Sequence, residues 1–334
     1  MTTKTATTSR TKGPSSSGAG ALKAVTGLII RWLLPAATIL LMAFFASRSD
    51  VFLSVDNLLS VATQNAPTFI VSAVFGMLLM SGYVDLSVGS VFALVGVASG
   101  LAMNSWGLLP GLCVGLVIGI LAGCLNGILI GLLGLSPIVV TLGGLAAGRG
   151  LAQFMGQGSI FGFPDAFVDF GSGDVFGLPN LVIVAAIVSI ICMVVMSCLP
   201  VGKWIVSIGV NPRAAFLVGI PVKATVAVLY VLTGLAVAIS AILQIARIGS
   251  APSGTLGSGF EVTILTAVLL GGIPFNGGRG SIWRVLVGVW LIGVLKNGLT
   301  LLNVGTELSG IITGVVLMLA AALEGARFYM RKIG

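Results

Sequence analysis

The chain has 334 residues, 57% of them hydrophobic and only 8% charged, with a mean hydropathy of +1.16 and no histidine. An ordinary soluble domain is roughly a quarter charged and cannot hide this much apolar surface, so a soluble globular protein is excluded. The absence of histidine removes His-liganded metal sites and Ser–His catalysis, and the +8 formal charge has to be read from its distribution along the chain.

Residues 1–26 are polar and rich in Ser, Thr and Gly, which predicts a disordered tail. The apolar run that follows is long and lacks a small-residue cleavage site, so it reads as an uncleaved first span. Runs of about 20 apolar residues can cross the hydrocarbon core as helices. Ten are predicted: Gly27–Ala46, Val61–Met80, Val88–Met103, Gly107–Leu132, Pro137–Met155, Asn180–Leu199, Val222–Ala246, Val262–Ile273, Ile282–Leu302 and Leu308–Leu323. The third and eighth are short enough to be partial spans. The fold class is therefore an all-α polytopic bundle, with residues 27–334 forming one transmembrane domain.

Between the second and third runs, SGYVDLSVGS (residues 81–90) sets a lone carboxylate, Asp85, in an apolar setting. Asp85 or Ser87 is placed to cap the third span, where unpaired amides favour an acceptor. In the fourth run, Gly111, Gly115, Gly119, Gly123, Gly127 and Gly131 recur at four-residue spacing. Small residues at this spacing let helix backbones approach closely. Each step overshoots a turn by about 40°, so the stripe is expected to wind over several neighbours of a central helix. Asn126, beside it, is a candidate to reach a pore.

Arg149 lies roughly 18 Å along its helix from Pro137, and Lys296 equally far past Arg284, which predicts snorkelling of both toward the outer surface. Substrate contact, or pairing with acidic residues of the 156–179 loop, are the other readings. That loop carries Asp165, Asp169 and Asp174 and no basic residue. Lys4, Arg10, Lys12, Lys23, Arg31, Lys203, Arg213, Lys223, Arg279, Arg284, Arg327, Arg331 and Lys332 all fall on the opposite side if both termini are inside. This is the positive-inside bias, so the basic charge reports topology and no nucleic-acid partner. Cys113, Cys124, Cys192 and Cys198 lie within apolar runs and read as packing residues rather than a disulfide framework.

The inner region 200–221 holds GVNPRAAFLVGIP. Asn211 is a good N-cap, Pro212 suits the first helical position, and Gly219 and Pro221 stop the helix. The result is a helix of about two turns, too short to span. Ala214, Ala215, Phe216 and Leu217 suit either a lipid surface or another protein's groove. No Walker A motif is present: the only Gly-Lys pair is Gly202-Lys203, with Ser197 at the first glycine position and Trp204 after the lysine. GSGD, residues 171–174, matches an intramembrane aspartyl protease pattern, yet Asp174 and Asp85 are expected on opposite faces, where they cannot share a proton.

Taken together, SGYVDLSVGS, NGILIGLLGLSPIVVTL, the GRG around Arg149, GVNPRAAFLVGI and LTAVLLGG…NGGRGS resemble the permease subunit of bacterial ATP-binding-cassette sugar importers of the ribose and galactofuranose type. The resemblance implies a non-enzymatic, multi-pass inner-membrane protein with cytoplasmic termini and a second permease copy or paralogue completing the path. It also implies a cytoplasmic ATPase partner holding ATP and Mg, a periplasmic sugar-binding protein, and the surrounding membrane lipid. Asn211, Pro212, Arg213, Ala214, Ala215, Phe216, Leu217 and Val218 match the family's coupling helix. The substrate path or gate is assigned to Asn65, Asp85, Ser87, Asn126 and Thr141, with the broken start of the third span presenting its amides to the path. Glu261-Val262-Thr263 and Lys296-Asn297-Gly298 depart from the family's usual E-L-D and Asn-Asn-Gly. The competing reading is an ion-coupled secondary transporter using Asp85, Arg149 and Lys296.

Overall fold

The computed structural model describes Trp32 and residues 34–305, 307–312, 314–316 and 318. The predicted tail and the basic residues of both termini lie outside the described residues. In chain order, α1 is Leu34–Ala46, α2 Val55–Met80, α3 Val88–Trp106 and α4 Leu108–Asn126, which continues as a π-helix over Gly127–Leu132. Next come α5 Pro137–Gly156, α6 Asp165–Ser172, α7 Asn180–Cys198, α8 Pro200–Val210 and α9 Pro212–Leu217. Then follow α10 Val222–Ile248, α11 Phe260–Leu270 and α12 Ile282–Leu301. Two short antiparallel pairs complete the architecture: β1 (Ser159–Ile160) with β4 (Ala251–Pro252), and β2 (Asp174–Val175) with β3 (Leu178–Pro179).

Among the described residues seven helices are long and apolar enough to cross a membrane, rather than ten. They answer to predicted runs two to seven and nine, so the third is a full span. The first and tenth runs are described only in part. The eighth is α11, with 11 residues; at 1.5 Å per residue this covers roughly 16 Å, about half of a 30 Å core.

The centre of the bundle is α2, α3 and α10, whose Ile70, Phe75, Leu78, Tyr230 and Ile245 are fully buried. All six glycines of the fourth run are buried as well. However, α4 is not the central helix expected from them: Leu109, Val117, Leu121 and Leu125 on its other sides are exposed. The stripe meets only two neighbours. Gly111 and Gly115 sit against Met103 and Ser99 of α3, and Gly119 to Gly131 follow α10 from Ala238 to Ala227. The π-helical end explains why the stripe stays on α10, because a turn wider than four residues rewinds the drift of a four-residue step. Of the cysteines, all free, only Cys192 is buried, while Cys113 and Cys198 are exposed and so do not pack as expected.

Residues 249–259 form the unusual part. This non-helical stretch runs beside α3, with Ala251 near Gly100, Leu256 near Gly96 and Gly257 near Gly89; a side chain at Gly96 or Gly89 would collide with it. Irregular backbone at membrane depth needs its polar groups satisfied within the protein. Here β1 pairs with Ala251 and Pro252, Ser253 donates its amide to the Gly158 carbonyl at 3.0 Å, and Arg149 reaches in from α5.

The bundle has two distinct ends. At one, Gly209 of α8 lies against Met80, the Gly278 amide donates to the Met80 carbonyl at 2.8 Å, and α9 follows. At the other, α6 packs Gly171 onto Ala246 near the end of α10.

Candidate functional site

Tyr230 of α10 donates to the Val84 carbonyl at 2.9 Å and pins the turn between α2 and α3. Just beyond it, Asp85 is 4% exposed. Its Oδ1 accepts from the Ser87 amide at 2.9 Å and the Ser87 hydroxyl at 2.5 Å, and its Oδ2 accepts from Asn126 Nδ2 at 3.1 Å. Asn126 also donates to Ser87 Oγ at 3.1 Å. Ser87 is the N-cap residue of α3, but no side chain caps the helix amides. The expected cap is thus replaced by a tie across the turn preceding the helix. Burial pushes the Asp85 carboxyl up from its ordinary value, against the pull of the Ser87 and Asn126 bonds.

The other assigned path residues do not join this cluster. Thr141 is fully buried and donates back to the Pro137 carbonyl of its own helix at 2.8 Å. Asn65 lies on the wall of a separate cavity of about 460 Å³. That cavity is bounded by α2, α3, α10, α11, α12 and the 252–258 stretch, and it sits near the end that carries α6, roughly 33 Å along α10 from Val222. Its walls carry the carboxamides Gln64, Asn65, Gln244 and Asn297, the cations Arg247 and Lys296, and Phe92 and Phe260, whose ring centroids are 4.6 Å apart. Asn297 is held by exchanging two hydrogen bonds with Asn57 of α2, at 3.0 and 2.9 Å.

Neither intramembrane cation simply snorkels. Lys296 lines the cavity, and Arg149 donates to the carbonyls of Leu256 (2.6 Å) and Gly257 (3.0 Å). Its fork supplies donors where the non-helical stretch lacks them. Of the polar wall, the sequence reading found only Asn65 as a path residue. The available signal for Arg247 was a charge closing an apolar run, and Asn297 stood out only within Lys296-Asn297-Gly298, but Gln64 and Gln244 carry no local mark.

At the far end, α9 forms as its caps require. Asn211 Oδ1 accepts from the amides of Arg213 and Ala214 at 3.0 and 3.1 Å, and Gly219 ends the helix at φ +87° with its amide on the Phe216 carbonyl. Ala215 turns inward and is buried, contrary to its expected place on a docking face. Phe216, Leu217 and Val218 are 70%, 83% and 77% exposed. The two carboxylates of the protease pattern do not meet, since Asp174 is exposed and accepts from the Gly177 amide at 2.9 Å in the β2–β3 turn. No group of three or more potential metal-ligating side chains comes together among the described residues.

A family model described as "Branched-chain amino acid transport system / permease component" matches residues 57–321. The chain is 32% identical over 291 residues to the D-allose transport system permease protein AlsC of Escherichia coli K12, covering 85% of this chain and 88% of that protein. It is 33% identical over 276 residues to the autoinducer 2 import system permease protein LsrD of Escherichia coli K12 and of Shigella flexneri, covering 79% of this chain and 82% of each relative. No solved structure matches it.

Proposed function

This chain belongs to the permease-component family of branched-chain amino acid transport systems, and from that premise we propose that it carries a monosaccharide across a bacterial inner membrane. It is a permease subunit of an ATP-binding-cassette importer and not an enzyme. The D-allose permease among its relatives supports the sugar reading. A second permease copy or paralogue completes the path, a cytoplasmic ATPase binds ATP and Mg, and a periplasmic binding protein delivers the solute.

The observation that carries this reading is α9. A capped helix of six residues that leaves Phe216, Leu217 and Val218 exposed gains nothing for its own fold from those side chains. The helix lies at the end that also holds Lys203, Arg213, Lys223, Arg279 and Arg284, while Asp165, Asp169 and Asp174 lie at the other. This segregation supports a cytoplasmic α9 and a cavity nearer the outer face. Covering the apolar residues with an ATPase groove would give nucleotide-driven motion a handle on the bundle.

The test is purification from native membranes in mild detergent, followed by identification of bound subunits and assay of ATP hydrolysis. A co-purifying ATPase that Phe216→Asp or Leu217→Asp releases from an otherwise folded permease supports the reading. A chain isolated alone that drives ion-dependent uptake in liposomes overturns it in favour of the secondary transporter.

A further inference from the structure

The polar cavity has a charge pattern that an uncharged sugar does not explain. Arg247 and Lys296 face it from α10 and α12, and no aspartate or glutamate contributes to its walls. Among the described residues neither cation forms an ion pair, and the Arg247 Nε is buried without a hydrogen-bond partner. Oε2 of Glu261, between the wall residues Phe260 and Thr263, is also buried and unpartnered, but it lies against Gly89 of α3 and does not line the cavity. Cations between membrane-spanning helices are costly when left unpaired and ordinarily have a partner. The guanidinium cannot relieve this by losing its proton. A bound anion would compensate both charges at once.

The remaining wall suits a carbohydrate. Gln64, Asn65, Gln244 and Asn297 offer amide donors and acceptors for hydroxyl groups, and Phe92 and Phe260 offer apolar faces for ring carbons. A volume of about 460 Å³ lies in the range of small-molecule sites. We infer that this cavity is a transit site for a sugar bearing an acidic group, a carboxylate or a phosphate ester, with Arg247 and Lys296 as its counter-cations. The inference rests on the import reading and names the class of its cargo.

The full-length permease in nanodiscs of zwitterionic lipid can be tested without any partner subunit. The probes are ribose, ribonate and ribose 5-phosphate, and the readout is the concentration at which each raises the thermal unfolding midpoint. At least one anionic pentose is expected to act at a tenfold or more lower concentration than ribose. Arg247→Gln and Lys296→Gln should each remove that preference, while Arg247→Lys should retain most of it. The unliganded midpoint shows whether each variant is folded. A response to ribonate alone assigns a carboxylate, and one to ribose 5-phosphate alone assigns a phosphate ester. Equal potency of ribose and both anions, no response to either anion, or a preference that survives both Gln substitutions overturns the inference. These outcomes are separable from failure of the import reading, which is decided by the bound ATPase and not by ligand charge.

Discussion

Asp85 acts as an acceptor for three donors at once, the amide and hydroxyl of Ser87 and the carboxamide of Asn126. Asp85→Ala would strand the amide and hydroxyl of Ser87 in the interior, at about 1–3 kcal/mol for each donor left unpaired, while Asn126 keeps its bond to Ser87 Oγ. Thermal unfolding in detergent should therefore show a large loss, about 2–6 kcal/mol in total. Asp85→Asn keeps one acceptor oxygen and should lose about 1 kcal/mol. Exchanging the pair, with Asp85→Asn and Asn126→Asp together, should recover most of that smaller loss. If the exchange is worse than the sum of its single changes, the two side chains are not coupled in this way.

Two elements show how local signals and long-range contacts divide the work. On α4, an added Cβ at Gly119 would stand 2.5 Å from Ala238 Cβ and from the Gly234 carbonyl oxygen. Gly119→Val should thus push α4 off α10, with about 1–3 kcal/mol lost to overpacking. Val117→Ala on an exposed side of the same helix should stay within about 0.5 kcal/mol. Similar melting midpoints for the two variants would remove the close α4–α10 contact as a source of stability. The 249–259 stretch depends on Arg149 in the same sense. Arg149→Leu leaves the Leu256 carbonyl without a donor and the Gly257 carbonyl with only the Phe260 amide, an expected loss of about 1–3 kcal/mol, and Arg149→Lys should fall between it and the native chain because an ammonium cannot reproduce the fork. Limited proteolysis within 249–259 should accelerate in the same order.

The same elements show what could be read ahead of the structure. The caps of α9 and the glycine spacing of α4 are local patterns, and both appear where the chain places them. That α4 is peripheral was not legible, since a leucine facing lipid and a leucine facing protein have the same composition signature. Residues 249–259 look like a polar surface loop, because what draws them inward is Gly89, Gly96 and Arg149, more than a hundred residues earlier. The cavity was missed for a related reason: its wall is assembled from five separated helices and the 252–258 stretch, and only Asn65 was singled out as part of a path.

At the scale of the whole molecule, α10 links the α9 end to the cavity through 27 residues, roughly 40 Å of helix. The two features should therefore face different compartments. In a chain with Cys113, Cys124, Cys192 and Cys198 replaced, Ser258→Cys is expected to react with a membrane-impermeant maleimide in intact cells. Leu217→Cys should react only after permeabilisation. Labelling of both from one side would dismantle the two-ended arrangement and, with it, any transmission along α10.

The broken span also constrains how the protein is made. The 11 residues of α11 and the non-helical stretch before it have no means of residing in lipid alone, whereas α4 and α7 are continuous apolar helices that insert by themselves. Arg149 and the glycines of α3 leave the ribosome more than a hundred residues before Leu256 and Gly257, the groups they receive. Synthesis thus delivers the cradle before its guest. A circularly permuted gene that translated residues 249–301 first would expose that stretch to the translocon with nothing to hold it, and membrane quality control would meet it before α3 and α5 did.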